Sequence, residues 1–280
     1  MRNLFPQDAK NIVIKIGTSV LTSGGKFDRP RVFKIASEIA VLLKKNARVA
    51  VVSSGAIGAG MTLMKMRRRP SSMRGLQATA AVGQRYLMQC YEEAFSRGGF
   101  STAQVLLTWD DLNAEKRFMS AKRTLREIQR LKHVPVINEN DTVATDEIRF
   151  GDNDRLSSLL SILLEADLLV ILSDTNGLYA DGLKNDADKR IRLVEKIEDV
   201  FGHVSDRKTV FTVGGMHSKL NAIRTSVRAG IPVFLADGRE ANVLTKIFSG
   251  KDVGTFFAPK GGKKSWIRHF RTHLTKKTRR

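Results

Sequence analysis

The sequence predicts an α/β fold, a mainly parallel open sheet sandwiched between helices. Three observations carry that expectation. Short apolar, β-branched runs recur along the chain, amphipathic helical stripes separate them, and the alternation continues for nearly the whole length. A chain of 280 residues with 42% hydrophobic content can also bury a sizeable core without crosslinks.

The apolar runs are Ile12–Ile16, Val49–Val52, Val105–Leu107, Val134–Ile137, Leu168–Leu172 and Ile231–Leu235. With no polar alternation, they read as strands buried on both faces. Between the first two, residues 31–45 place Val32, Ile35, Ala36, Ile39, Leu42 and Leu43 on one stripe before a Lys-Lys-Asn stop, the pattern of an amphipathic crossover helix. Comparable stripes cover Ala80–Phe95, Phe118–Leu131, Leu156–Leu164 and Leu220–Val227. Cys90 falls within such a stripe and reads as a buried, inert thiol. No apolar run reaches the ~20 residues of a membrane span, and Met1–Lys10 lacks the apolar centre of a secretory signal. A cytoplasmic chain without membrane contact is expected.

The formal net charge is +20, which raises nucleic acid as a partner. Nine Lys or Arg and no acidic residue lie between Lys260 and Arg280, leaving +11 for the rest of the chain. That stretch reads as a flexible basic tail. A nucleic-acid-binding protein using Trp266, Phe270 and the basic tail is the rival reading. It leaves the strand ends unexplained.

In open sheets of this kind ligands bind beyond the carboxyl ends of the strands. Gly17-Thr18-Ser19 follows the first run, Ser53–Gly60 the second, Asn138–Thr142 the fourth and Ser173–Gly177 the fifth. Lys15 sits inside an apolar strand, where it must reach either water or an anion. Gly17 and two hydroxyls just downstream favour a phosphate contact. Gly55, Gly58 and Gly60 have neither the dinucleotide nor the P-loop spacing, so they suggest a different cradle or only a tight strand-to-helix turn. Residues 150–157 place Asp152, Asn153 and Asp154 just before an apolar helix, more polar groups than a cap requires, although an exposed acidic loop would look similar. Residues 213–219 bring backbone donors, a helix dipole and Lys219 together as an anion site. His217 has no orienting group nearby in sequence and reads as a surface histidine.

The segments 13–21, 52–57, 134–141, 151–154 and Gly214-Gly215-Met216 followed by Lys219 resemble, in order, the motifs of the glutamate 5-kinases, a branch of the amino acid kinase superfamily. The resemblance runs from about Lys10 to Phe257. Asn-Glu-Asn-Asp paired with Gly-Asp-Asn-Asp favours this branch over acetylglutamate, aspartate, carbamate and uridylate kinases. It implies a kinase domain over residues 1–258 and a basic tail over 259–280, without the small PUA-type C-terminal domain of many bacterial relatives. It also implies ATP-dependent phosphorylation of the γ-carboxylate of L-glutamate to L-glutamyl 5-phosphate, the first step of proline biosynthesis.

Carried onto this sequence, the resemblance puts Lys15 and Lys219 on the transferring phosphoryl group. ATP would be held by Lys15, Gly17, Ser173, Asp174, Val213, Gly214, Gly215, Met216, His217, Ser218 and Lys219. Glutamate would be bound by Ser54, Gly55, Asp141 and Asn153, with Asp141 on its α-ammonium. Asp152 and Asp154 would organise the lysines and the surroundings of Mg²⁺, itself bound mainly through ATP with no protein ligand assigned. Val213 and Ser173 stand where the family often has Thr. The resemblance further implies a homo-oligomer (dimer or tetramer), proline as an inhibitor with residues 142–150 as the inhibitory loop, and contact with glutamyl-phosphate reductase. The acceptor carboxylate, with a pKa near ~4.3, is already ionised at neutral pH, so no catalytic base is required.

Overall fold

The computed structural model describes residues 9–143, 153–179, 190–205 and 215–260, the side chains of 202–205 excepted. Asp152, Val213, Gly214, most of the 142–150 segment and nearly all of the basic tail therefore lie outside the described residues.

An eight-stranded sheet forms the centre, in the order β10-β12-β11-β7-β1-β4-β6-β5. Its long strands are β1 (Asn11–Ile16), β4 (Arg48–Ser53), β5 (Thr102–Leu107), β6 (Val134–Glu139), β7 (Leu168–Ser173) and β11 (Val233–Asp237), with β10 (Leu193–Val194) and β12 (Thr255–Phe257) at one end. All neighbours pair in parallel except β11 and β12. Two short hairpins, β2 (Thr22–Ser23) with β3 (Lys26–Phe27) and β8 (Leu178–Tyr179) with β9 (Arg190–Ile191), lie apart from this sheet.

The helices are α1 (Arg29–Lys44), α2 (Ala56–Leu63), α3 (Met73–Ser96), α4 (Trp109–Asn113), α5 (Glu115–Arg130), α6 (Asn153–Leu163), α7 (Ile197–Ser205), α8 (Met216–Arg228) and α9 (Val243–Phe248). Their starts follow from local chemistry. Asp28 accepts from the Arg31 amide at 3.0 Å and caps α1, and Ser72 does the same for α3 through Gly75. The buried Glu38 carboxylate reaches across from α1 to accept from Leu244 and Thr245 and so caps α9.

Alternation along the strands divides the core in two. Ile12, Ile14 and Ile16 of β1 face a layer built with α1, α3 and α9, whereas Val13 faces a layer built with α5, α6 and α8. Lys15 shares the parity of Val13 and is thereby aimed at the α6 and α8 side. By the same rule Ser53 and Asn138 point to the α3 side.

The structure corrects three expectations. Strand β5 is only half-buried, because it is the sheet edge and has a partner on one side alone. The glycine-rich run after β4 is helical from Ala56, so Gly58 and Gly60 lie inside α2 and not in a loop. Helix α3 begins at Met73, well before the expected Ala80.

Glycines explain how α2 can sit so close to α3. A Cβ at Gly83 would lie 1.8 Å from the Ala56 carbonyl oxygen and 2.3 Å from the Gly60 amide nitrogen. Gly83→Ala is therefore expected to force the helices apart and cost about 3 kcal/mol or more, seen as a melting temperature lower by roughly 10 °C. Because α2 starts just beyond the carboxyl end of β4, the same variant should also displace Ser54 and Gly55.

Candidate active site

Two polar clusters meet at the first turn of α6, which packs across β1, β4, β6 and β7. In the first, the Asp154 carboxylate joins two lysines from different parts of the fold. Lys15 Nζ of β1 stands 2.6 Å from Asp154 Oδ1, and Lys219 Nζ of α8 stands 3.3 Å from Oδ2. All three side chains are withdrawn from water, at 6%, 5% and 12% exposure for Lys15, Asp154 and Lys219. Burial pushes the Asp154 carboxyl upward, but the two ammonium groups outweigh it and hold the carboxyl below the usual range. Two cations are thus gathered at one point by one anion.

The second cluster is a chain of amides. Asn153 Nδ2 donates to Ser54 Oγ at 2.8 Å and to Asn138 Oδ1 at 2.9 Å, with the Ser53 carbonyl oxygen at 3.3 Å. Asn138 Nδ2 in turn donates to Gln84 Oε1 of α3 at 2.9 Å. Asn153 Oδ1 and Gln84 Nε2 are buried and meet no hydrogen-bond partner among the described residues. Ser53 Oγ closes the inner end against Tyr91 OH at 2.8 Å.

The remaining candidates surround these clusters. Gly55 adopts φ +104° at the N-terminus of α2, where no side chain caps the helix. Such a φ suits glycine, and a Cβ there would also lie 3.3 Å from Leu21 Cδ1. Gly17 differs from expectation: its N–H donates to the Leu172 carbonyl at 3.0 Å and is not available to an anion. Its contribution is space, since a Cβ there would lie 3.5 Å from Lys15 Nζ and 3.2 Å from the Leu172 oxygen.

Ser173 is buried at the end of β7, and its hydroxyl donates to Asp174 Oδ1 at 3.2 Å. The Asp174 carbonyl accepts from Arg239, which also pairs with Asp237. Gly215 precedes α8 and provides no side-chain cap, so the first amides of α8, from Met216 onward, form a donor-rich end beside Lys219. Met216 packs on the core, Ser218 is half-buried, and His217 is exposed, 3.0 Å from Asn221 and edge-on to Phe201. The histidine therefore sits on the helix surface, as expected from sequence.

Asp141 stands two residues beyond β6 and makes no hydrogen bond to Ser54 or Asn153. Burial pushes its carboxyl up to about 6, partly offset by the positive charge of Arg69. Sequence reading did not single out Gln84. The available signal was a polar residue on the apolar stripe of α3, between Ala80 and Leu87, which needs a partner when buried.

Among the described residues, no group of three or more His, Cys, Asp or Glu side chains could hold a metal ion, and no helix is long and apolar enough to cross a membrane. The sequence and the fold have known counterparts. The model of the amino acid kinase family matches residues 10–237. Glutamate 5-kinase of Thermus thermophilus is 44% identical over 263 residues, spanning 92% of this chain and 71% of the relative. Those of Chromohalobacter salexigens and Pseudomonas fluorescens (strain Pf-5) are 43% and 40% identical, over 92% and 95% of this chain and 70% and 74% of theirs. Among solved structures, carbamate kinase from Giardia lamblia bound to AMP-PNP superposes with a TM-score of 0.63 at 17% identity, covering 91% of this chain and all of that one, a likeness of fold. With a family model over most of its length and relatives 43–44% identical over 92% of this chain and 70–71% of theirs, the chain belongs to the amino acid kinase family, in its glutamate 5-kinase branch.

Proposed function

We propose that the chain transfers the γ-phosphoryl group of ATP to the γ-carboxylate of L-glutamate, forming L-glutamyl 5-phosphate and ADP in the first step of proline biosynthesis. The observation that carries this reading is the buried Lys15–Asp154–Lys219 bridge at the N-terminus of α8, where Gly215 provides no side-chain cap. A glutamate carboxylate oxygen attacks the γ-phosphorus, the bond to the β,γ-bridging oxygen breaks, and ADP leaves with the electron pair. No proton moves in this step, which suits a site that gathers two lysines on one carboxylate.

Each residue then has a role. Lys15 and Lys219 offset the charge on the phosphoryl oxygens as it shifts towards ADP, and Asp154 holds both ammonium groups where unscreened repulsion would separate them. The α8 amides from Met216 onward, together with Ser173 and Asp174, line the nucleotide side, and residues 213–214 belong to the same proposal. Asp152 is proposed to assist Asp154. Both Asp154 oxygens already face lysines, so among the described residues Mg²⁺ meets no cage of its own; the ion would fit as a companion of the ATP phosphates, where it would neutralise charge. Ser54, Gly55 and Asn153 receive glutamate, with Asp141 on its α-ammonium.

The elevated Asp141 carboxyl gives this assignment a pH signature. Above about pH 6 the group is ionised and can pair with the ammonium. Keeping that half-buried charge costs the free protein up to about 3 kcal/mol, a penalty absent below the free value near 3.8, built up as pH rises from there to about 6 and full above it, and a bound cation relieves it. Glutamate KM is expected to be flat above pH 7 and to rise by up to about tenfold per pH unit below 6, while ATP KM stays level. A glutamate KM unchanged down to pH 5 would sink the Asp141 assignment.

The reaction itself is tested by ATP-dependent ADP release, with Mg²⁺, from a panel of glutamate, N-acetylglutamate, aspartate, carbamate and UMP. Only glutamate is expected to support turnover; a preference for another acceptor would transfer the chain to a sister activity. Glutarate, lacking the amine, should be a poor acceptor. Cytoplasmic location, homo-oligomerisation, inhibition by proline and contact with glutamyl-phosphate reductase belong to the same proposal. They rest on the family relationship alone. So does the division into a kinase domain at 1–258 and a basic tail at 259–280.

A further inference from the structure

The amide chain has a direction, and that direction matches an amino acid. Asn153 uses its NH₂ on Ser54 Oγ and Asn138 Oδ1, so the Ser54 hydroxyl accepts from it and keeps its own proton to donate outward. The same choice leaves Asn153 Oδ1 as a buried open acceptor. A donor on Ser54 and an acceptor on Asn153 suit a carboxylate and an ammonium respectively. With the amides reversed, Ser54 would present a lone pair to a carboxylate and Asn153 an N–H to an ammonium, both repulsive.

The direction is held from two ends. The Ser53 carbonyl can only accept and faces Asn153 Nδ2 at 3.3 Å. At the far end, Gln84 Oε1 accepts from Asn138 Nδ2, which turns Asn138 Oδ1 towards Asn153. Gln84 itself is 8% exposed on the face of α3 directed at the sheet, and its Nε2 is buried without a partner among the described residues. A buried amide that satisfies one neighbour and leaves its own donor unmet adds little stability. Its net effect is to orient Asn138.

We propose that Gln84 is a positioning residue for the acceptor substrate, fixing through Asn138 the polarity of the Asn153–Ser54 face; this rests on the glutamate reading above. Gln84→Met keeps the bulk and removes the acceptor. It exchanges one unmet donor, Gln84 Nε2, for another, Asn138 Nδ2, so the melting temperature should move by less than about 3 °C. Glutamate KM should rise about tenfold, with ATP KM unchanged within about twofold. Gln84→Glu, which presents an acceptor whether ionised or protonated, should restore glutamate KM to within about threefold of the parent.

The measurements are steady-state kinetics with each substrate varied in turn, and thermal melting of parent and both variants. An unaltered glutamate KM in Gln84→Met, or an equal rise in both KM values, would overturn the inference. Should Gln84→Met melt more than about 10 °C early, Gln84→Glu decides: near-parental glutamate KM supports the role and a tenfold rise refutes it. Absence of glutamate turnover by the parent chain would instead fall on the proposed reaction, and the inference would fall with it.

Discussion

Lys219→Ala is expected to lower kcat by roughly 10³- to 10⁴-fold while the protein stays folded. The size follows from where the ammonium sits. Lys219 is 12% exposed and held 3.3 Å from Asp154 at the start of α8, so its charge acts in a site with little water to replace it. A cation that meets charge developing on the transferring group affects the transition state more than the ground state, and its loss should appear mainly in kcat. Glutamate KM should change little, because the amide chain from Ser54 to Gln84 does not pass through Lys219. The check is single-turnover ADP formation with circular dichroism alongside; near-normal turnover would remove Lys219 from the chemistry.

Lys219 and Lys15, which meet at Asp154, both stood out in the sequence. A lysine inside an unbroken apolar strand has to reach water or an anion, and strand parity then states which layer it faces. Asn153 and Asp154 were visible as more polar groups than one helix start consumes. The alternation of runs and stripes yielded the long strands and helices because each buries an apolar face of characteristic period.

What stayed hidden depends on tertiary contact. Helix α2 was masked by Gly58 and Gly60, poor helix formers, yet Gly60 and Gly83 permit an approach between α2 and α3 that offsets their weak propensity. The hairpin strands β2, β3, β8 and β9 have two residues each, too short for any periodicity to register. Gly17 lies beside Lys15, but the engagement of its amide with Leu172 depends on the pairing of β1 with β7, which no local pattern encodes. Gln84 lies 54 residues before its partner Asn138, and only the packing of α3 on β6 reveals it.

Asp154→Asn should separate the structural work of the bridge from its chemistry. The substitution keeps the side chain's shape and removes the charge that both lysines face, so their mutual repulsion is no longer offset at that point. Breaking one partner out of a buried ionic cluster typically costs about 3–5 kcal/mol. A loss of that order is expected in urea unfolding at pH 7, together with a fall in kcat of about 10³-fold or more, since both cations lose their placement. The sign of the pH dependence distinguishes this from generic damage. The Asp154 carboxyl is held below its usual value in the folded protein, so its stabilisation is present above the unfolded value near 3.8 and is lost as pH falls through the folded one. The stability gap between parent and Asp154→Asn should therefore stay constant from pH 7 to about pH 5 and close only in stronger acid. A gap that already closes between pH 7 and 5 would mean that Asp154 titrates near neutrality, and the charge-gathering role assigned to it would have to be abandoned.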